Sequence, residues 1–196
     1  MRLTMIQDYY KFVMIRHPLE RLVSGFRNKI EPPFSDMSVR FPNYIKMTIL
    51  QRYRSAEFEK WRDSKTKYNL SVTFEEFILY YVNSDLTTIN PHLKPIIHTC
   101  HPCRVRYNFY GNFQMYSQDA QMAMKRLSIN SDFYRNKSLH LSSQQTSNYL
   151  GQYYGRLSDV LKVRLYWKLR EELEFYYALY PRERNSHISI LGVEGA

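Results

Sequence analysis

Between Lys11 and Arg27 the chain sets an arginine, a proline and a serine where a turn that binds an anion needs them. Phe12 to Ile15 is a short apolar run and Arg16 follows it directly. Pro18 comes two positions after that arginine and Ser24 eight positions after it, in a helix-compatible stretch that also carries Arg21 and Arg27. This order predicts a buried parallel strand over Lys11 to Ile15 that hands over to a helix start. Such a junction suits a phosphate. Amides at a helix N-terminus lack intrahelical acceptors, the helix dipole attracts negative charge, and an arginine adds a planar fork of charge-assisted hydrogen bonds. Ser24 adds a hydroxyl donor, while Leu19, Leu22, Val23 and Phe26 make an apolar face that packs the helix on a core.

The elements that must hold this junction belong to one unit. With 196 residues, 44% of them hydrophobic, and no linker, repeat or low-complexity tract, the chain is expected to form a single domain over 1–196. A formal net charge of +10 points to polyanionic partners: nucleic acid, an anionic membrane surface, or an acidic glycan together with an anionic nucleotide. Charge alone does not choose among them. No apolar run reaches the roughly 20 residues of a membrane helix, and the N-terminus lacks the apolar core of a signal peptide, so the chain as written is expected to be soluble.

Downstream, Thr73 and Glu76 form a capping box ahead of an apolar helix running to Val82. Val105 to Gln114 carries an aromatic, strand-like run ended by Gly111. Ser117 is expected to cap a helix whose Ala120, Ala123, Met124 and Leu127 share a core face. From Leu157 to Tyr180, Leu161, Leu165, Leu169, Leu173 and Tyr176 recur at helical spacing, with Pro181 as a stop. His98, Cys100, His101 and Cys103 are all good zinc ligands, but they crowd into six positions, and structural zinc sites draw on two separated pairs. Asn69-Leu70-Ser71 and Asn136-Lys137-Ser138 match the N-glycosylation pattern.

Arg16, Pro18 and Ser24 resemble the 3′-phosphate-binding motif of sulfotransferases that use 3′-phosphoadenosine 5′-phosphosulfate (PAPS). The fuller string from Arg16 to Arg27, R-H-P-L-E-R-L-V-S-G-F-R, resembles that of the Golgi carbohydrate sulfotransferases acting on chondroitin, dermatan and related glycans, the HNK-1 type included. Thr73 to Phe77 matches the T-F-E-E-F of that family. Asn90 to Cys103 resembles its H-W-x-P and C-x-P-C elements, with Leu93 where tryptophan is usual. Tyr107 to Gln114 resembles Y-D-F-x-G-K-x-E, with Asn108, Asn112 and Gln114 each removing a charge, and the last helix resembles a C-terminal element in which Glu172 replaces an aspartate.

The resemblance implies a P-loop-like α/β fold, a mostly parallel sheet flanked by helices, and sulfuryl transfer from PAPS to a glycan hydroxyl without a metal. By it, Arg16, His17, Pro18, Leu19, Glu20, Arg21, Leu22, Val23 and Ser24 form the nucleotide cradle, with Arg16 and Ser24 on the 3′-phosphate and Arg21 either binding or bracing the loop. His92 is the candidate base that takes the acceptor proton, and His17 is placed structurally rather than catalytically. The implied partner is an anionic glycan rather than nucleic acid, and the implied setting is the Golgi lumen, with a membrane touched only through an N-terminal anchor. In that oxidising compartment Cys100 and Cys103 are expected to be oxidised, with each other or with cysteines elsewhere; a redox dithiol is the third reading. The family also implies an upstream strand and a lysine-bearing 5′-phosphosulfate loop. Met1 to Tyr10 contain neither lysine nor glycine, so the domain is expected to be partial at its N-terminus, as a fragment or as a catalytically inactive binding module of the same fold.

Overall fold

In the computed structural model, which describes residues 8–31, 40–64, 70–129 and 146–192, the predicted strand is present as β1, Phe12–Ile15. It pairs in parallel with β2, Phe109–Asn112, in a register that sets Phe12 beside Phe109 and Ile15 beside Asn112. Asn108 fixes the entry to this pairing, its Oδ1 accepting the Lys11 N–H at 2.8 Å. The sheet has two strands among the described residues, and β1 is accordingly less enclosed than a central parallel strand. Ile15 is buried but Phe12 is 51% exposed, which corrects the expectation of a wholly buried strand: enclosure begins only where the chain turns into the next helix.

That helix, α1 (Pro18–Gly25), runs on into a π-helical turn over Phe26–Ile30, closed by the Glu31 N–H on the Phe26 carbonyl at 2.8 Å. Leu19, Leu22, Val23, Phe26 and Ile30 are all buried on one side. The remaining helices are α2 (Arg40–Tyr53), α3 (Ser55–Asp63), α4 (Phe74–Asn83), α5 (Ile96–Thr99), α6 (Tyr116–Arg126), α7 (Leu150–Tyr154), α8 (Asp159–Leu179) and α9 (Arg184–Leu191). The capping box of α4 is complete: Thr73 Oγ1 accepts the Glu76 N–H at 3.2 Å while Glu76 Oε2 accepts the Thr73 N–H at 2.7 Å. Ser158 caps α8, and its predicted stripe of Leu161, Leu165, Leu169, Leu173 and Tyr176 is buried throughout.

Two expectations are corrected. The helix that Ser117 was expected to cap starts two residues earlier, with Met115 in the cap position, growing out of a 3₁₀ turn over Phe113–Met115 that the Asn112 side chain caps by accepting the Gln114 N–H at 2.9 Å. Of its expected core face only Ala123 is buried, and Leu127 is 36% exposed. Pro181 does end α8, but a 3₁₀ turn over Pro181–Glu183 and then α9 come at once, packing back on α8. Asn69 and Asn136, the glycosylation candidates, lie outside the described residues.

Much of the core is aromatic. Phe26, Phe74, Tyr153 and Tyr154 meet edge to face, with Phe74 5.0 Å from Tyr153 and 5.3 Å from Tyr154 between ring centroids. Burial pushes the hydroxyls of Tyr81, Tyr154, Tyr176 and Tyr177 upward from their ordinary value, and that of Tyr180 up to about 12. The folded chain therefore keeps protons that the unfolded chain releases above about pH 10. Stability is full below that point and falls as pH rises through the raised values. The midpoint of thermal unfolding is expected to hold level up to about pH 9.5 and then drop steeply, with the ultraviolet signal of part of the 18 tyrosines ionising only as the fold is lost. Smooth ionisation of every tyrosine near pH 10 without unfolding contradicts this account.

Candidate functional site

Because Ile15 stands beside Asn112, the residues that come after the two strands, Arg16 and Phe113, leave the sheet at the same edge. This is the carboxyl end of parallel strands, the side on which open α/β sheets hold ligands. Arg16 lies over Phe113, with its guanidinium carbon 5.0 Å from the ring centroid, and its Nη2 donates to Thr146 Oγ1 at 2.9 Å. Its Nε is 3.8 Å from Glu20 Oε2, one turn further along α1, and makes no hydrogen bond to a described residue. Burial lowers the Arg16 pKa and Glu20 opposes that shift, so the guanidinium remains a cation with its hydration largely stripped. An oxyanion placed there would return hydrogen bonding to the desolvated nitrogen.

Glu20 is fully buried, and its Oε1 accepts from Gln114 Nε2 at 2.7 Å. Here the altered family element becomes intelligible. A glutamate at 114 would bring a second carboxylate against Glu20, whereas the amide donates to it. Asn112 acts similarly: its Nδ2 donates to Glu183 Oε1 at 2.8 Å while the Tyr176 hydroxyl donates to Glu183 Oε2 at 2.6 Å. The loss of charge at Asn112 and Gln114 is thus matched by two carboxylates, buried Glu20 and half-buried Glu183, that accept from these amides.

His17 is buried, and its Nδ1 accepts the Leu19 N–H at 3.2 Å, which leaves Nε2 to donate to the Tyr177 hydroxyl at 3.0 Å. The imidazole thereby caps α1. Pro18 has no N–H and that of Leu19 is taken, so the expectation of open amides at the helix start is corrected and the attraction for an anion centres on the Arg16 side chain. Pro18, Leu19, Leu22 and Val23 are buried, so within a cradle these residues would contribute backbone and shape. Ser24 is half-buried on α1, where its Oγ accepts from Asn28 Nδ2 at 3.2 Å; no contact among the described residues joins it to Arg16.

Arg21 braces. Its Nη1 donates to the Leu93 carbonyl at 2.9 Å and its Nη2 to Glu172 Oε2 at 2.7 Å, while Glu172 Oε1 accepts the Ile96 N–H at 2.8 Å. Burial works against the charge on Arg21, and Glu172 together with Tyr81 outweighs it, holding the guanidinium above its ordinary value. This clasp fixes the loop that carries His92. The imidazole is exposed, and the backbone N–H of His92 bonds Asn90 Oδ1 at 3.0 Å. Leu93 is 4% exposed and packs against Gly25, so the position where the family usually has tryptophan is here a core position. Cys100 and Cys103 are not bonded to each other, which corrects that one of the expected pairings; Cys103 is exposed and Cys100 half-buried. Sequence reading missed Thr146 and Phe113 as partners of Arg16. Nothing local marks Thr146, which comes from 130 positions away.

The sulfotransferase family model matches residues 2–178 of the chain. Among curated relatives, carbohydrate sulfotransferase 14 of Homo sapiens is 34% identical over 120 residues, covering 61% of this chain and 29% of that protein. Carbohydrate sulfotransferase 8 of Mus musculus is 32% identical over 180 residues, covering 89% and 39%. Carbohydrate sulfotransferase 11 of Danio rerio is 28% identical over 179 residues, covering 89% and 48%. The chain spans less than half the length of each of these relatives. No solved structure matches it.

Replacing Glu172 with alanine strands the Arg21 charge in the interior and should cost about 3 to 5 kcal/mol in denaturant unfolding. Arg21→Met combined with Glu172→Met should recover most of that loss, since an apolar pair leaves no buried charge unpaired. A Glu172→Ala chain as stable as the parent would show that the clasp carries no weight.

Proposed function

The chain belongs to the sulfotransferase family, and from that premise we propose that it transfers a sulfuryl group from PAPS to a hydroxyl of a chondroitin- or dermatan-type glycan in the Golgi lumen. The observation that carries this reading is Arg16, a desolvated cation with an unsatisfied Nε at the carboxyl end of the parallel strands, in the position that the 3′-phosphate motif assigns. That orphaned donor suits the doubly charged 3′-phosphate of the nucleotide. When bound, PAPS supplies a sulfuryl group on a good leaving group, so the protein's part is positioning, charge stabilisation and removal of one proton.

Arg16 holds the 3′-phosphate, and Glu20 and Thr146 set the plane of its guanidinium. Ser24 adds a hydroxyl donor from α1. His17, through the Leu19 amide and the Tyr177 hydroxyl, keeps α1 at a fixed angle to the sheet. His92, on the loop that Arg21 clamps at Leu93, takes the proton of the attacking sugar hydroxyl at an imidazole nitrogen.

Calorimetry with 3′-phosphoadenosine 5′-phosphate tests the nucleotide site. Arg16→Ala should weaken binding about 10- to 100-fold and Ser24→Ala only a few-fold, because a charge-assisted contact is worth about 1.5 to 3 kcal/mol and a neutral one about 1. A folded parent that binds adenosine 5′-phosphate as tightly as the 3′-phosphorylated form would refute the assignment. In a sulfate-incorporation assay on unsulfated chondroitin, run on the chain extended by an upstream strand and lysine loop, His92→Ala should lower kcat while leaving KM for the glycan nearly unchanged. An unaltered kcat would remove His92 from the reaction.

A further inference from the structure

On the outer side of α8, Val160, Val163 and Trp167 fall at i, i+3 and i+7, and they are 72%, 40% and 55% exposed. Single apolar residues on a surface are ordinary, but three on one stripe, a tryptophan among them, make a patch. Arg164 and Lys168 run alongside it. One turn further, the same side of the helix carries exposed Glu171, Glu174 and Ala178. The outer face therefore has an apolar, basic first half and an acidic second half. The inner face is already engaged: Glu172 holds Arg21, and Tyr177 meets His17. Beside the acidic half, between α8 and α9, lies an open cavity of about 230 Å³ lined by apolar Leu173, Ala178 and Ile188 together with Glu174, Tyr177 and Arg184.

We infer that the outer face of α8 is a self-association surface, on which the α8 of a second copy of this chain packs antiparallel about a two-fold axis near Arg170 and Glu171. Antiparallel packing lays the apolar, basic half of each helix on the acidic half of the other, and the two-fold axis makes both halves of the contact identical. Trp167 and Glu174 are seven residues apart, about 10.5 Å along the helix. An axis midway between them carries each Trp167 to the cavity beside Glu174 of the other copy, where the indole meets apolar walls and its N–H finds a carboxylate. Arg164 and Lys168 then come within reach of Glu171 and Glu174 of the other copy. Charge selects this occupant. The whole chain carries +10, which sets two copies against each other, yet on this face Arg164, Lys168 and Arg170 stand against Glu171 and Glu174. Parallel pairing would bring basic half to basic half, so the same pattern fixes direction as well as partner. Arg170, held by Glu174 at 2.8 Å, lies 5.2 Å over the Trp167 ring and limits its motion, which spares part of the ordering cost of docking.

This surface stands independently of the function proposed above, and sedimentation velocity of the full chain tests it. The parent should pass from monomer to dimer over about 2 to 200 µM, as suits a small interface. Trp167→Ser should raise the dissociation constant of the dimer about tenfold or more. Arg164→Glu with Lys168→Glu leaves the face largely acidic, and Glu171→Lys with Glu174→Lys leaves it wholly basic, so each double variant alone should stay monomeric. Mixed in equal amounts, the two should dimerise as the parent does, because each basic half again meets an acidic one. That rescue also shows that both variants are folded, and adding Trp167→Ser to both should abolish it. A parent that is monomeric throughout the range overturns the proposal, as do double variants that self-associate like the parent or that stay monomeric when mixed although their circular dichroism matches the parent's. A monomeric parent that instead binds phosphatidylcholine vesicles, with a blue shift of tryptophan emission that Trp167→Ser removes, overturns it in favour of a membrane surface.

Discussion

A buried guanidinium–carboxylate pair, Arg21 with Glu172, ties four separate stretches of the chain together. The arginine comes from α1 and the glutamate from α8, the arginine reaches the carbonyl of Leu93 and the hydroxyl of Tyr81 on α4, and the glutamate's second oxygen holds the amide of Ile96. Taking two such charges out of water is costly, and only good geometry with every lone pair engaged offsets it. Both carboxylate oxygens of Glu172 and both terminal nitrogens of Arg21 are engaged by groups the fold must bring from distant places, so the pair forms only when α1, α4, α8 and the loop before α5 are all in register. It adds specificity to the packing more than net energy.

At the edge of the sheet the same logic runs with amides in place of a cation. Glu20 and Glu183 are carboxylates turned inward, and Gln114 and Asn112 donate to them from the turn at the end of β2. The Tyr176 hydroxyl completes the set on Glu183. The result is an arginine at the end of the sheet backed by a hydrogen-bonded layer, in which Glu20 stands 3.8 Å from the Arg16 Nε. Arg21 and Arg16, five positions apart, thus sit differently: one is spent inside the fold, the other lies at the end of the sheet, where the proposed function gives it a ligand.

β1, α1, α4 and α8 are legible in the sequence because local chemistry marks them. An apolar run ends in Arg16 and Pro18, a capping box opens α4, and a leucine stripe runs the length of α8. The fold of the loop between α4 and β2 is not legible, since Leu93 is held by Gly25 and Arg21 and neither neighbour lies within sixty positions. The start of α6 escapes sequence reading for a related reason: Ser117 is a good cap, but Asn112 has already turned the chain, so the helix begins before the serine is reached. In the candidate site, Arg16 and Ser24 stand out by spacing. Thr146 and Phe113 do not, because a threonine and a phenylalanine become partners of a guanidinium only when the tertiary structure places them beside it.

The π-helical turn at Phe26–Ile30 leaves a mark on how this segment can vary in length. An i to i+5 ring holds one residue more than an α-turn, so the turn is a stored phase slip between the end of α1 and the chain beyond Ile30. Removing one residue there would relax the backbone into ordinary α-helix, with the side chains past the turn keeping their relation to the core. The same deletion between Leu19 and Val23 would rotate everything after it by about 100° and carry Phe26 away from Phe74. Along α1, which leads from the end of the sheet into the aromatic core, tolerance to a change in length is therefore concentrated in a single turn.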